Sequence, residues 1–424
     1  MIRDPLWDNI ALDEAALGLV DSAPFQRLRY VRQLGHAFLV YPGATHSRFE
    51  HALGAFHLTR RALAALESRG ELEDVPEVER TAVTLAALLH DVGHYPFSHA
   101  LEEAGFPSHE LQGEERITSG PLGEKLGRLG GPGFPARVAD LVRARSASPL
   151  QGLISGSLDL DKVDYLCRDS RMCGVPYGLV DVDRLLASIT LVERGPMGGR
   201  TLGVQEKGVS ALESLLFAKY QMYRNVYWHH AVRSATCMFK RAARDAVRKG
   251  LVTMPDVAGL TDGELMHLLA ERDRHPLARA LRDRHLFKRS LDLPASEVTA
   301  RPAAWISEDA GLLERVEDAL ATETGLEPGE LLLDFPARHS MLGVDLPLRL
   351  RDGTVERLTD EGRAGHLGLP RIAGELYRSA RRLRVFVART LARPLEGVAR
   401  LLEVPGKELA GALASGAPLL GPGD

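Results

Sequence analysis

The chain has 424 residues, with 53 Lys+Arg against 57 Asp+Glu, a formal net charge of −4, 45% hydrophobic and 26% charged residues, a globular balance that excludes a disordered chain. That balance supplies no chain-wide basic field for nucleic acid or anionic membranes, and no uncharged apolar run is long enough to span a bilayer. The first residues, Met1–Pro5, lack the apolar core of a signal peptide, and Cys167, Cys173 and Cys237 are a sparse, odd set suited to a reducing compartment, so a cytoplasmic protein is expected.

Helical periodicity dominates the first 250 positions. Phe25–Leu34 reads as a helix with Pro24 in its first turn and Gly35 as its stop; Phe38–Tyr41 reads as a short extended stretch before the Pro42-Gly43 turn. Phe49, Leu53, Phe56 and Leu63 form one stripe and predict a helix from Ser47 to about Leu66. Glu77–Leu89 is nearly all apolar and predicts a centrally buried helix that runs into His90-Asp91-Val92-Gly93-His94. The Gly- and Pro-rich stretch Gly120–Pro135 predicts a surface loop, with helices resuming near Ala136, near Leu150 and over Asp159–Asp169. Ile189–Val192 and Thr201–Val204, on either side of Gly195–Gly199, are a hairpin signal, and Val209–Val247 reads as one long, bent helix. Beyond about 255 helices alternate with β-like runs at Val344–Leu350 and Gly353–Val355. The expected architecture is mainly α: a helical core over 1–255 carrying a small hairpin, and a smaller α+β region over 256–424, with no solenoid repeat.

More than half of the 15 histidines fall in the window 36–109: His36, His46, His51, His57, His90, His94, His99 and His109. Imidazole is the commonest metal ligand and the usual acid–base group near neutrality, so the cluster points to a site. Taken singly, His36, His46 and His57 read as ordinary surface or core histidines. His90-Asp91 closes the most apolar helix, where a carboxylate needs compensation. A divalent cation is one compensation and a helix-end salt bridge the other; the dipeptide alone favours the salt bridge. His90 and His94 are four apart, as in the zinc-protease pattern H-E-x-x-H, but Asp91 is a shorter acid and Gly93 weakens the helix between them, so a protease is not expected. Arg48 and His51 lie three apart on one helix face and suit a phosphate ester held beside a metal. Asp159, Asp161 and Asp164 bracket Lys162, one of only eight lysines in the chain.

Four long segments carry a resemblance: Phe25–Tyr30, Tyr41–His51, His90–His99 and Asp161–Asp169. In this order they resemble the HD-domain deoxynucleoside-triphosphate triphosphohydrolases, with His51, the doublet His90-Asp91 and the distant Asp161 standing where that family has its H…HD…D metal ligands. The resemblance covers Asp4 to Val247 and runs more loosely to about Ala388. It implies an HD-type helical catalytic core that cleaves a dNTP at the α-phosphorus, releasing deoxynucleoside and inorganic triphosphate. His51, His90, Asp91 and Asp161 would hold a divalent metal; mixed His/Asp ligation accepts Fe, Mn, Zn, Ni or Mg.

By the same resemblance, Arg48, His94, Lys162, Tyr165 and Lys219 fall where the family contacts the triphosphate. His99 matches the general acid for the leaving 5′-oxygen, supported by Glu102 and His109. Gln33, Leu34 and Asp169 match groups that grip the sugar and its 3′-hydroxyl. Tyr227 matches the aromatic that excludes a 2′-hydroxyl, and Tyr223 and His229 lie near the base. Three positions depart from the family pattern: Lys219 replaces an Arg, Glu102 an Asp and Tyr223 a His. The chain begins almost at the catalytic region, so no SAM domain is expected. Many relatives are homo-oligomers, tetramers among them, activated by nucleotides between subunits; Asp21 and Arg29 match two residues of such a site. The alternatives are an HD phosphohydrolase acting on a dNMP or (p)ppGpp, and a non-catalytic sensor or single-strand binder using Arg381-Arg382-Leu383-Arg384.

Overall fold

The computed structural model describes residues 1–194, 198–298, 305–336, 346–357, 368–391, 395 and 397–421. Its centre is a bundle in which the long Arg48–Glu67 helix packs against both Glu77–Leu89 and Leu160–Cys173. Seven of the eight residues from Ala82 to Leu89 are at most 3% exposed, the central burial their composition predicts. The helix expected from Ser47 begins with a capping box, in which the Glu50 carboxylate takes the Ser47 backbone N–H and hydroxyl. That cap sets the start of the helix and thereby the direction in which Arg48 and His51 enter the interior.

Among the described residues the chain is mainly helical, with three small sheets. The expected hairpin forms as strands Ile189–Glu193 and Arg200–Gln205, paired antiparallel with Ile189 opposite Val204; part of its turn (195–197) lies outside the described residues. Pro347–Arg349 adds to it in parallel and Val355–Arg357 completes four strands, so a segment of the C-terminal half is built onto the hairpin. Val344 and Asp345 of the expected β-run lie outside the described residues. A three-stranded antiparallel sheet has Arg382–Val387 between Lys288–Pro294 and Leu331–Asp334. The arginines of 381–384 are consumed by that position: Arg381 lies over Phe335 and donates to the Pro336 carbonyl, Arg382 donates to Asp292, and Arg384 is 3% exposed. They form no open basic stripe.

Five local expectations are corrected. Gly120–Pro135 is helical almost throughout: helices span Gly120–Gly130 and Phe134–Val142, each with a proline in its first turn, where its missing N–H costs nothing. Burial of Leu122, Leu126, Phe134 and Val138 outweighs the poor intrinsic propensity of the glycines. The segment 25–34 is helical only to Tyr30, as Ala23–Gln26 followed by a 3₁₀ turn; Val31 is extended and begins a bridge that pairs Arg32 with Ser47. Gly35–Leu39 is a 3₁₀ turn, not an extended stretch, and near Leu150 only a 3₁₀ turn forms, at Gln151–Leu153. Val209–Val247 is two helices, Val209–Met222 and His230–Arg248, separated by a π-turn over Tyr223–Tyr227; an extended His229 caps the second helix by accepting from Ala231 N–H.

Candidate metal and active site

Three helix ends bring the H…HD…D residues together. His51 lies in the first turn of Arg48–Glu67, His90 caps the end of Glu77–Leu89, and Asp161 lies in the first turn of Leu160–Cys173. His90 Nδ1 faces the Ala87 carbonyl at 2.8 Å and His51 Nδ1 faces Asp164 Oδ2 at 2.8 Å. Both partners are acceptors, so each Nδ1 carries a proton and each Nε2 is the nitrogen left to offer a lone pair to a metal. Those two Nε2 atoms stand 3.2 Å apart. Asp91 Oδ1 lies 3.3 Å and Asp161 Oδ2 3.9 Å from His90 Nε2, and Asp91 Oδ2 lies 3.7 Å from His51 Nε2. The two Nε2 atoms and the Asp161 carboxylate converge, with Asp91 alongside, and this mixed imidazole–carboxylate set fits a divalent metal. His51, His90 and Asp161 are close enough for one ion to bridge them.

The carboxylate of Asp91 is almost completely buried. Burial would raise its pKa, but Arg48, His90 and His94 hold it well below the usual carboxylate range. Arg48 donates from Nη1 to Asp91 at 2.8 Å and from Nε to Ser98 Oγ at 3.0 Å. Ser98 in turn donates to the Arg32 carbonyl. Phe97 and Ser98 both hold left-handed backbone (φ +57° and +59°), a conformation maintained by Asp262, which accepts from Phe97 N–H at 2.8 Å. Arg48, at the start of its helix, is thereby held beside the candidate metal ligands by a strained loop at Phe97-Ser98.

A buried chain of groups supports His51 from behind. Asp164 accepts from His51, from Arg168 Nε and Nη2 at 2.9 Å each, and from Trp7 Nε1 at 2.5 Å; Arg168 also donates to Asp4 at 2.8 Å. Burial would raise the Asp164 pKa, but Arg168 and His51 bring it below the ordinary value. Its spacing is a usable signal for Asp164, about one helical turn after Asp161; nothing local points to Asp4 or Trp7. Gly54 makes this approach feasible, since a Cβ there would lie 1.8 Å from Asp164 Oδ1 and 2.6 Å from Arg168 Nη2. Glycine to alanine inside a helix normally stabilises by about 1 kcal/mol. Gly54→Ala is expected to do the opposite, lowering the melting temperature and weakening metal affinity by about tenfold or more. A chelator-competition titration checks this; unchanged affinity would mean that Asp164 does not tune His51.

On the other side of Asp91 lie His94, His99 and His109. His94 Nε2 faces Asp91 Oδ1 at 3.1 Å and its ring stacks on His109, centroids 3.7 Å apart. Burial, with Arg48 and His109, holds the His94 pKa well below its usual value. Glu102 bonds both neighbours, reaching His99 Nδ1 at 2.7 Å and His109 Nδ1 at 2.6 Å. Its longer side chain therefore orients both rings at once. Burial would raise the Glu102 pKa, but the two histidine hydrogen bonds carry it far below the carboxylate range. Burial opposes a charge on His109, yet its bond to Glu102 raises its pKa. Gly93 allows this grouping: a Cβ there would sit 2.0 Å from the His109 carbonyl oxygen.

Of the remaining predicted residues, Lys162 pairs with Asp159 and donates to the Gly156 carbonyl. Lys219 is buried; desolvation and the nearby Lys162 lower its pKa to about 8, while Asp159 is pushed up to about 6 by burial and Asp161. Tyr165 lies against His51 and Tyr227, and Tyr223 packs edge-on to Tyr227, so the three tyrosines form one wall. Tyr227 OH donates to Asp169 Oδ2 at 2.7 Å. Gln33 is buried with its Oε1 unpartnered, and Leu34 packs beside Ala37 and Ala44. His229 lies between Tyr41 and His230. Of the pair matched to an activator site, Arg29 covers the ring of Phe49 and Asp21 is exposed.

Residues 48–169 match the HD domain and residues 180–362 the HD associated region, so the chain belongs to the HD phosphohydrolase superfamily. Within it, the chain is 38% identical over 289 residues to an uncharacterized protein of Methanocaldococcus jannaschii (68% of this chain, 58% of that protein). It is 28% identical over 284 residues to the deoxynucleoside triphosphate triphosphohydrolase SAMHD1 of Gallus gallus (58% of this chain, 45% of that protein). The chain spans about half the length of the curated relatives it matches. A crystal structure of a hypothetical protein from Aquifex aeolicus superposes with a TM-score of 0.72 at 28% identity, covering 95% of this chain and 99% of that one. HD domains bind divalent metals, the chemistry to which the ligand set here is suited. Among the described residues no helix is long and apolar enough to cross a membrane.

Proposed function

We propose that the protein hydrolyses deoxynucleoside triphosphates to deoxynucleoside and inorganic triphosphate, with the metal held by His51, His90, Asp91 and Asp161. The observation that carries the reading is the 3.2 Å approach of two outward Nε2 lone pairs among carboxylates, flanked by three cationic side chains. A divalent cation bound there would polarise a phosphoryl oxygen and make a water nucleophilic near neutral pH. The protein's own groups supply the rest. Arg48, Lys162 and Lys219 come from three helices and offer charge-assisted donors to a polyphosphate tail. His99, its side chain more than half exposed and anchored by Glu102, is the group to deliver a proton to the leaving 5′-oxygen. Asp169 and Gln33 grip the sugar, and the half-buried ring of Tyr227, tied down through its hydroxyl, leaves no room for a 2′-hydroxyl. The similarity to a triphosphohydrolase supports the same substrate class.

The test is a substrate panel with product identification, after metal loading with Mn, Fe, Zn, Ni or Mg in turn. The expected result is inorganic triphosphate and deoxynucleoside from dNTPs, with NTPs poor substrates. Release of inorganic phosphate from dNMPs, or pyrophosphate from ppGpp, in place of triphosphate from dNTPs would replace the proposed substrate with another. Running the panel with a second nucleotide present, and sizing the protein under the same conditions, tests activation and homo-oligomer formation.

A further inference from the structure

Nothing in the sequence distinguishes His46 from a core histidine, but its environment is polar. The side chain is 1% exposed, and Nε2 faces Asp169 Oδ1 at 2.7 Å. Asp169 is equally buried, and its other oxygen accepts from Tyr227 OH. An ionised carboxylate only accepts, so Nε2 carries the proton; Nδ1 is then a buried lone pair without a partner. The same residue also holds a second segment: the His46 carbonyl accepts Gln33 N–H at 3.0 Å, next to the bridge between Arg32 and Ser47. Gln33 and Asp169, 136 positions apart in sequence, are therefore both fastened to His46, one through its backbone and one through its ring.

We infer that His46 is the positioning residue of the sugar site: by donating to Asp169 Oδ1 it sets the rotamer of that carboxylate and leaves its remaining lone pairs directed at a 3′-hydroxyl. This rests on the reading above that Asp169 and Gln33 face the sugar. Its consequence is a selectivity that the metal ligands cannot supply. A 2′-deoxynucleotide with a 3′-hydroxyl donates to the held carboxylate; a 2′,3′-dideoxynucleotide leaves that carboxylate short of a donor and is disfavoured. His46 touches no reacting atom, so its loss acts on the grip and not on the chemical step.

The test compares a dNTP with the ddNTP of the same base on the metal-loaded parent protein, His46→Phe, His46→Gln and Asp169→Asn. The parent is expected to prefer the dNTP. His46→Phe should lower kcat/KM for the dNTP about tenfold, the scale of one hydrogen bond to a charged group, mainly through KM. The ddNTP should change by less than about twofold on the same scale, so the preference collapses. His46→Gln, whose amide can still donate to Asp169, should recover most of the preference, which a merely structural role would not do. Asp169→Asn should collapse it too, and adding His46→Phe to Asp169→Asn should have no further effect on the ratio. Metal content, measured alongside, should match the parent in every variant. An unchanged dNTP/ddNTP ratio in His46→Phe overturns the inference while leaving dNTP hydrolysis standing; should the phenylalanine variant not fold, an unchanged ratio in Asp169→Asn or a collapsed one in His46→Gln does the same. No triphosphate release by the parent overturns the functional reading, and the inference with it.

Discussion

His90→Ala is expected to yield a folded protein that retains no divalent metal after dialysis and turns over at least about a thousandfold more slowly than the parent, the scale of the Lewis-acid and nucleophile-forming contributions of a bound metal. The ring sits at a helix end, with only its Nδ1–H tied to the Ala87 carbonyl, so its removal leaves a small, partly exposed gap and no unpaired buried charge. Asp91→Ala should abolish metal and turnover to the same degree but at a further cost. Arg48 and His94 both direct hydrogen bonds at that carboxylate, and deleting it strands a buried guanidinium. Stranding one partner of a buried ion pair costs about 3–5 kcal/mol. Elemental analysis after gel filtration, product release and a denaturant melt separate these effects. Full metal content or retained activity in either variant would remove these residues from the ligand set.

The second large effect is on stability. Arg168 is the largest fully buried side chain among the described residues, and its guanidinium is the cation that links Asp164 to Asp4. Arg168→Ala leaves two nearly fully buried carboxylates facing each other's charge with no cation, and a cavity where the guanidinium lay. A loss of about 3–5 kcal/mol is expected, seen as a shift of the denaturation midpoint. Because Asp164 is also what orients His51, metal affinity should fall by about ten- to a hundredfold in the fraction that remains folded. A midpoint within about 0.5 kcal/mol of the parent would show that the network is dispensable. The contrast with His90→Ala is diagnostic, since one change removes function with the fold retained and the other removes the fold's support for function.

Part of the site is legible in the amino-acid sequence. His51, His90, Asp91 and Asp161 stand out because metal chemistry restricts the residue types, and each lies at a helix end whose boundary is itself encoded. The Ser47–Glu50 capping box, the apolar run over 82–89 and the Gly93 stop are local signals, and the helices form where those signals put them. Arg48 is readable for the same reason, being three residues from His51 on a helix that periodicity predicts. Where local signals mislead, the cause is tertiary burial. The glycines of 120–135 argue for a loop, and only the packing of Leu122, Leu126 and Phe134 makes helices of them. The π-turn at Tyr223–Tyr227, which ends the supposed long helix and sets Tyr227 against Asp169, has no period of its own to read.

By itself, then, the chain's order of residues determined which side chains could carry the chemistry and at which helix ends they would stand. The tertiary structure alone decided which groups hold them there: Asp164, Arg168, Asp4 and Trp7 behind His51, Glu102 between two imidazoles, and His46 on Asp169. The physical reason is that a ligand type is constrained by coordination chemistry and a helix start by its own first turn. A buried partner more than a hundred positions away is chosen only when loop closure and the cost of an unpaired charge are satisfied together.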